Sequence, residues 1–195
     1  MQMNADELKK IVLMSYELTV LMPKPIKKDD KFVIDSRSKF KTLPEALRQM
    51  DDAAASITHF VKSAAYFLPR KDAGTKPEQM LPFMNKLMEQ VDELNRSGGE
   101  PERVREQLKY LIGYANWNAD AVCAILTAMG ELKSQDTIRK MLEAELKVVG
   151  ADHEVDQVFS QIQKWVKNEG GYHQSGDQNR QRNQDRGGYS QRGRY

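Results

Sequence analysis

Leu43-Pro44-Glu45-Ala46-Leu47-Arg48-Gln49-Met50-Asp51-Asp52-Ala53-Ala54-Ala55-Ser56-Ile57-Thr58-His59-Phe60-Val61-Lys62-Ser63-Ala64-Ala65-Tyr66-Phe67-Leu68 is the stretch whose reading decides the fold. Its apolar residues Leu47, Met50, Ala54, Ile57, Val61, Ala64 and Leu68 recur alternately three and four positions apart. That spacing puts all seven on one stripe of an α-helix and fits no strand. Thr42-Leu43-Pro44-Glu45 supplies a start, with a hydroxyl to accept an orphan N–H, an acid to reach back, and a proline tolerated in a first turn. Pro69 supplies the stop. One helix is therefore predicted over Leu43–Leu68.

The same punctuation recurs outward. Asp6–Met22 is apolar at Leu8, Ile11, Val12, Met14 and Leu18 and ends at Pro23. Thr75-Lys76-Pro77-Glu78 precedes Met80, Leu81, Met84, Leu87, Met88, Val91 and Leu94, with Pro82 placed in the first turn and Gly98-Gly99 closing the segment. Pro101 opens Glu102–Ala115, Asn118 caps Ala119–Lys133, Ser134 caps Gln135–Val149, and Gly150 has the left-handed tolerance wanted just past a helix end. Asp152 caps a last helix carrying Val155, Val158, Phe159, Ile162 and Trp165. About seven helices on short connections predict an all-α helical bundle over residues 1–169. Lys31-Phe32-Val33-Ile34 is the lone β-branched and aromatic cluster, expected as an extended loop or a short hairpin arm.

Two segments stand outside the bundle pattern. Residues 24–41 hold seven Lys or Arg against three Asp, with Phe32 and Phe40 interspersed, a long connection for two neighbouring helices. Residues 170–195 contain no Leu, Ile, Val, Phe, Met or Trp, cannot bury enough apolar surface to offset the entropy of ordering, and are expected to be a disordered tail. The overall charge of +2 conceals a split. The tail has five Arg and two Asp; subtracting these from 30 and 28 leaves the body with 25 bases and 26 acids. A near-neutral body thus carries a cationic end.

Whole classes of protein fall away. No apolar run approaches the ~18 residues of a membrane span, and the first residues lack the basic start and apolar stretch of a secretory signal. The single cysteine, Cys123, excludes an internal disulfide and, beside Val122 and Ile125, suits a small buried apolar residue. An intracellular, cytoplasmic setting is expected. The three histidines form no metalloprotease pair, and there is no paired-cysteine site, phosphate-cradling loop or nucleophile elbow. His59, beside Phe60, suits a half-buried structural role. His153, among Asp152, Glu154 and Asp156, suits a helix start rather than a metal site. No enzyme activity, metal or cofactor is implied. Tyr110, Tyr114 and Trp117, at i, i+4 and i+7, form either a base-stacking face or a helix–helix contact, and packing is the expectation. The ten Met residues suit adaptable core or a partner-binding surface.

The tail carries the functional signal. Arg186-Gly187-Gly188-Tyr189 and Arg192-Gly193-Arg194-Tyr195 resemble the Arg-Gly-Gly tails of RNA-binding proteins. Guanidinium groups at Arg180, Arg182, Arg186, Arg192 and Arg194 pair with phosphate bidentately and stack on bases, and Tyr172, Tyr189 and Tyr195 offer further stacking platforms. In the basic connection, Lys24, Lys27, Lys28, Lys31, Arg37, Lys39 and Lys41 form a secondary candidate site for phosphates. A tail serving only solubility is the alternative.

Glu78–Gly171 resembles the small helical subunit of type III CRISPR effector complexes. The likeness lies in Asn85-Lys86-Leu87-Met88-Glu89-Gln90-Val91-Asp92-Glu93-Leu94, in Leu108-Lys109-Tyr110-Leu111-Ile112-Gly113-Tyr114, and in an aromatic final helix before Gly170-Gly171. The resemblance implies a helical bundle that stacks into a filament along guide and target RNA through basic residues, without catalysis. Tyr114 stands where that family has arginine, and neither the first 75 residues nor the tail belongs to its pattern. No individual RNA contact is carried over. The expectation is a non-catalytic protein binding RNA, or single-stranded nucleic acid generally, as a ribonucleoprotein subunit with protein partners or self-association. A helical adaptor for protein partners is the second reading.

Overall fold

Asn4 starts the first helix. Its side chain accepts the Glu7 N–H at 2.9 Å while the Glu7 carboxylate accepts the Asn4 N–H at 3.0 Å, a reciprocal cap that satisfies two orphan donors. The computed structural model describes residues 3–35, 37–70, 76–97 and 99–167. They form helices α1 (Ala5–Thr19), α2 (Arg37–Ala46), α3 (Ala53–Phe67), α4 (Pro77–Arg96), α5 (Pro101–Val148) and α6 (Val155–Lys167), with strands β1 (Pro25–Lys28) and β2 (Lys31–Ile34) between α1 and α2. The all-α class holds. The expected tail, 170–195, and the expected cap Thr75 lie outside the described residues.

The helix predicted over Leu43–Leu68 is two helices. α2 begins six residues before Leu43 and runs through Pro44, and the chain breaks at residues 47–52. Asp52 then caps α3 by accepting the Ala55 N–H at 2.7 Å. Thr42 caps nothing; its hydroxyl donates back to the Lys39 carbonyl at 2.9 Å. Pro44 has no N–H for the Phe40 carbonyl one turn earlier, and that acceptor is taken instead by the buried Asn116 amide of α5 at 3.1 Å. Pro82 likewise lies deeper inside its helix than expected, because α4 already begins at Pro77.

The three helices predicted across residues 102–149 merge into α5, which is interrupted only at Gly130 (φ 72°, ψ 165°). Neither predicted cap serves as one. The Asn118 amide is buried and donates across to the Ser15 hydroxyl of α1 at 3.1 Å, and the buried Ser134 hydroxyl donates to the Glu131 carbonyl at 2.8 Å. The far end behaves as read. Gly150 takes φ 70°, Ala151 N–H donates to the Leu146 carbonyl at 2.7 Å and Gly150 N–H to the Lys147 carbonyl at 3.2 Å, the paired bonds of a Schellman stop. Asp152, read as the cap of the last helix, is instead the first residue of a short 3-10 turn, Asp152–Glu154, that feeds α6.

Because α5 packs against α1, α2, α3, α4, α6 and β2, the core gathers around it: Leu108, Leu111, Ile112, Ala115, Val122 and Leu126 before Gly130, then Ile138, Leu142 and Leu146 after it. Tyr16, Phe40, Phe60 and Phe83 are fully buried around this spine, with Phe40 and Phe83 edge to face at 4.8 Å between centroids. Methionine splits by place. Met14, Met22 and Met80 are core, Met84, Met88 and Met141 pack partly against it, and Met50 and Met129 are exposed.

Candidate nucleic-acid interface

The basic connection is a hairpin followed by a helix. β1 and β2 pair antiparallel in the register Pro25 with Ile34, Ile26 with Val33, Lys27 with Phe32 and Lys28 with Lys31. Asp29 and Asp30 make the two-residue turn, with Asp29 at φ 51°. Pro25 and Ile34 are buried at the root, whereas Lys27, Lys28 and Lys31 are exposed near the tip. The Phe32 N–H donates to the Thr127 hydroxyl at 2.8 Å and fixes the hairpin along α5.

These placements sort the predicted cations. Lys27, Lys31 and Lys41 are exposed, and among the described residues none of the three has an ion-pair partner. Lys24 is exposed at the hairpin root, and Lys28 pairs with Asp35 at 2.5 Å. Arg37 and Lys39 are committed inward. The Arg37 guanidinium forks onto both carboxylate oxygens of Asp120 and also donates to the Asn116 side chain and, at 3.0 Å, to the Asn116 carbonyl. Lys39, only 7% exposed, donates to the Leu68 carbonyl at 3.1 Å and to that of Arg70, closing the C-terminal end of α3. Both hold α2 in place rather than offer a free charge to a phosphate.

The structure also joins two regions that the sequence keeps apart. The Trp165 indole N–H donates to the Met22 carbonyl at 2.9 Å, across 143 positions. The end of α6 therefore sits at the root of the basic hairpin, and Lys167 precedes the Arg- and Tyr-rich tail. Of the predicted tail contacts, Tyr172, Arg180, Arg182, Arg186, Tyr189, Arg192, Arg194 and Tyr195 all lie outside the described residues.

A second feature overturns an expectation in part. Tyr110 and Trp117 are 46% and 69% exposed and face outward, whereas Tyr114 packs partly against the core as expected. Tyr110 and Tyr114 lie 6.4 Å apart between centroids with planes 28° apart, and Tyr114 meets Trp117 edge on at 5.8 Å. Tyr114 is half-buried; burial first, then the nearby Glu145 carboxylate, pushes its phenol upward, so it stays neutral and presents a ring. Sequence spacing located the three rings. What it could not give is which face of α5 would be left without a neighbour.

His59 is half-buried, with Nε2 at 2.6 Å from the Gln49 side-chain oxygen, in a cleft of about 520 Å³ between α2 and α3. His153 is exposed, 3.4 Å from Glu154. Among the described residues no three His, Cys, Asp or Glu are placed to hold a metal ion, and no helix is long and apolar enough to cross a membrane. Cys123 is buried and its thiol is pushed up to about 11, mainly by burial and then by Asp120. Compared with protein-family models, curated proteins and solved structures, the chain matches none.

Proposed function

We propose that this chain is a non-catalytic binder of RNA, or of single-stranded nucleic acid generally, acting as a helical subunit of a ribonucleoprotein. The observation that supports the reading is the Trp165–Met22 hydrogen bond, because it seats the end of α6 at the root of the lysine-bearing hairpin, and the arginine-rich segment follows α6 in the sequence. Cations from both segments can then follow one phosphate strand. Arginine supplies bidentate phosphate contacts and tyrosine supplies stacking, a combination that tolerates any sequence. The resemblance to the small subunit of type III CRISPR complexes points the same way, to a helical body assembled along RNA.

The test is a titration of a labelled oligouridine with the intact chain and with a chain lacking Gly170–Tyr195. Engagement of about five phosphates gives a log–log salt slope near −3 to −4 on a single strand. Removing the tail weakens binding and flattens that slope, with helicity and melting temperature unchanged. Equal affinities for the two chains refute the reading. A second reading, an adaptor for protein partners, is favoured by Leu132 and Val148, which are 94% and 85% exposed. It predicts partner capture that survives nuclease treatment and no salt-sensitive retention of RNA.

A further inference from the structure

On the aromatic face of α5, Tyr114 packs partly against the core while Tyr110 and Trp117 stand exposed. At 3.6 residues per turn, Tyr110 and Trp117 point within about 20° of each other, and Tyr114 stands about 60° to one side. Gly113 lies on the same face, and a Cβ built there would meet nothing within 4 Å, so the surface between the rings is open. From Tyr110 to Trp117 the helix rises ~10 Å, roughly three base-stacking steps of 3.4 Å.

Beside this face run charges of both signs: the Glu145 carboxylate lies near Tyr114 on one side, and paired and unpaired cations line the other. Asn116 and Asp120 lie on the flank of α5 opposite Tyr114 and bind Arg37, at the start of α2. Arg105, nearer the start of α5, donates to the Asp51 carbonyl just beyond α2 at 3.1 Å, so α2 runs back along that flank. Lys41, one turn after Arg37, is exposed on this path, and Lys109 lies on the same side of α5, paired with Glu106 at 2.5 Å. Farther along, at Thr127, the same flank carries the hairpin with Lys27 and Lys31. A row of rings bordered by a row of cations is the arrangement that holds a single strand, bases on the rings and phosphates on the cations.

We infer that the α5 face formed by Tyr110, Gly113, Tyr114 and Trp117 is a base-stacking platform for single-stranded nucleic acid, whose phosphates follow the flank carrying Lys41, Lys31 and Lys27. This rests on the reading of the chain as a single-strand binder and adds a site in the folded body, separate from the tail. Tyr110 and Trp117, being exposed, can be truncated without opening the core. With Arg37–Asp120, Lys109–Glu106 and Lys28–Asp35 paired, the attracting charges are Lys41, Lys31 and Lys27, the last two sharing the hairpin tip with the exposed Asp29 and Asp30.

The experiment uses the full chain and its W117A, Y110A/W117A and W117F forms, titrated with a labelled oligouridine in about 50 mM salt. The chain has two tryptophans, the exposed Trp117 and the buried Trp165, so a bound base quenches the emission of Trp117 selectively. W117A is expected to bind roughly five- to 150-fold more weakly and the double variant more weakly still, while W117F, which keeps a ring, binds close to the parent. All three are expected to melt with the parent. Variants that bind within about twofold of the parent, with Trp117 unquenched on the parent chain, overturn the platform and leave the tail as the sole site. A parent that binds no oligouridine at all defeats the underlying reading. Unchanged oligouridine binding by W117A, combined with loss of a self-associated species in sedimentation, also overturns the platform and assigns the face to a second copy.

Discussion

Replacing two glycines of α5 by alanine is expected to move stability in opposite directions. Gly130 sits at φ 72° and ψ 165°, a region that only glycine enters readily, and holding alanine there costs about 1–3 kcal/mol. A Cβ at Gly130 would meet nothing within 4 Å, so the cost is torsional and not steric. Nor can the helix escape by straightening. Leu126 before the break and Ile138, Leu142 and Leu146 after it are all buried, and withdrawing even one from the core costs about 2–5 kcal/mol. Gly113 has the same open surroundings but helical dihedrals, so alanine there gains about 0.5–1 kcal/mol of helix propensity. For a chain of this size each kcal/mol moves the melting temperature about 2–4 °C. Thermal melts followed by far-UV circular dichroism should show G130A melting about 2–12 °C below the parent and G113A about 1–4 °C above it. G130A melting with or above the parent, with more helical signal, would refute the reasoning, since α5 would then need no break.

Two groups give predictions that depend on pH. The Cys123 thiol, raised to about 11 from 9.0 by burial, has a thiolate population near neutral pH about a hundredfold below that of an ordinary cysteine. Alkylation should be slow in the native chain and approach the free-thiol rate in urea; fast native labelling refutes the burial argument. The Glu7 carboxyl is held below its ordinary value chiefly by the Asn4 N–H, with Arg103 and Gln107 adding to it. A lowered carboxyl stabilises the fold fully above the unfolded value of about 4.3 and loses that contribution as pH falls through the folded value. The stability gap between the parent and E7Q, from urea unfolding at several pH values, should therefore be largest near neutrality and shrink in acid. A gap independent of pH refutes the assignment.

The apolar periodicity was legible in part because it reports which side of a helix is buried: of the seven spaced residues Leu47, Ile57, Ala64 and Leu68 are buried, Val61 is half-buried, and Met50 and Ala54, at and just after the break between α2 and α3, are exposed. Helix ends were less legible, since a polar residue that can cap can equally reach across the fold. Asp52, which reads as one of a solvated acidic pair, caps α3; Asn118, which reads as a cap, ties α5 to α1. Gly130, the true break, carries no capping residue to mark it. For the site, residue type and spacing identified the lysines and the rings. The inward turn of Lys39, the fork of Arg37 onto Asp120 and the Trp165–Met22 bond depend on partners between 29 and 143 positions away, which local pattern cannot encode.

Pro44 shows how an imperfection in one helix becomes a socket for another. By withholding a donor it leaves the Phe40 carbonyl half-used, and the Asn116 amide plugs that vacancy while its oxygen receives Arg37. Idealising α2 with alanine at Pro44 would introduce a rival donor for the same oxygen, so a gain in local regularity would be set against the grip between two elements. Here the irregular residue acts as the keyway that registers α2 on its neighbour.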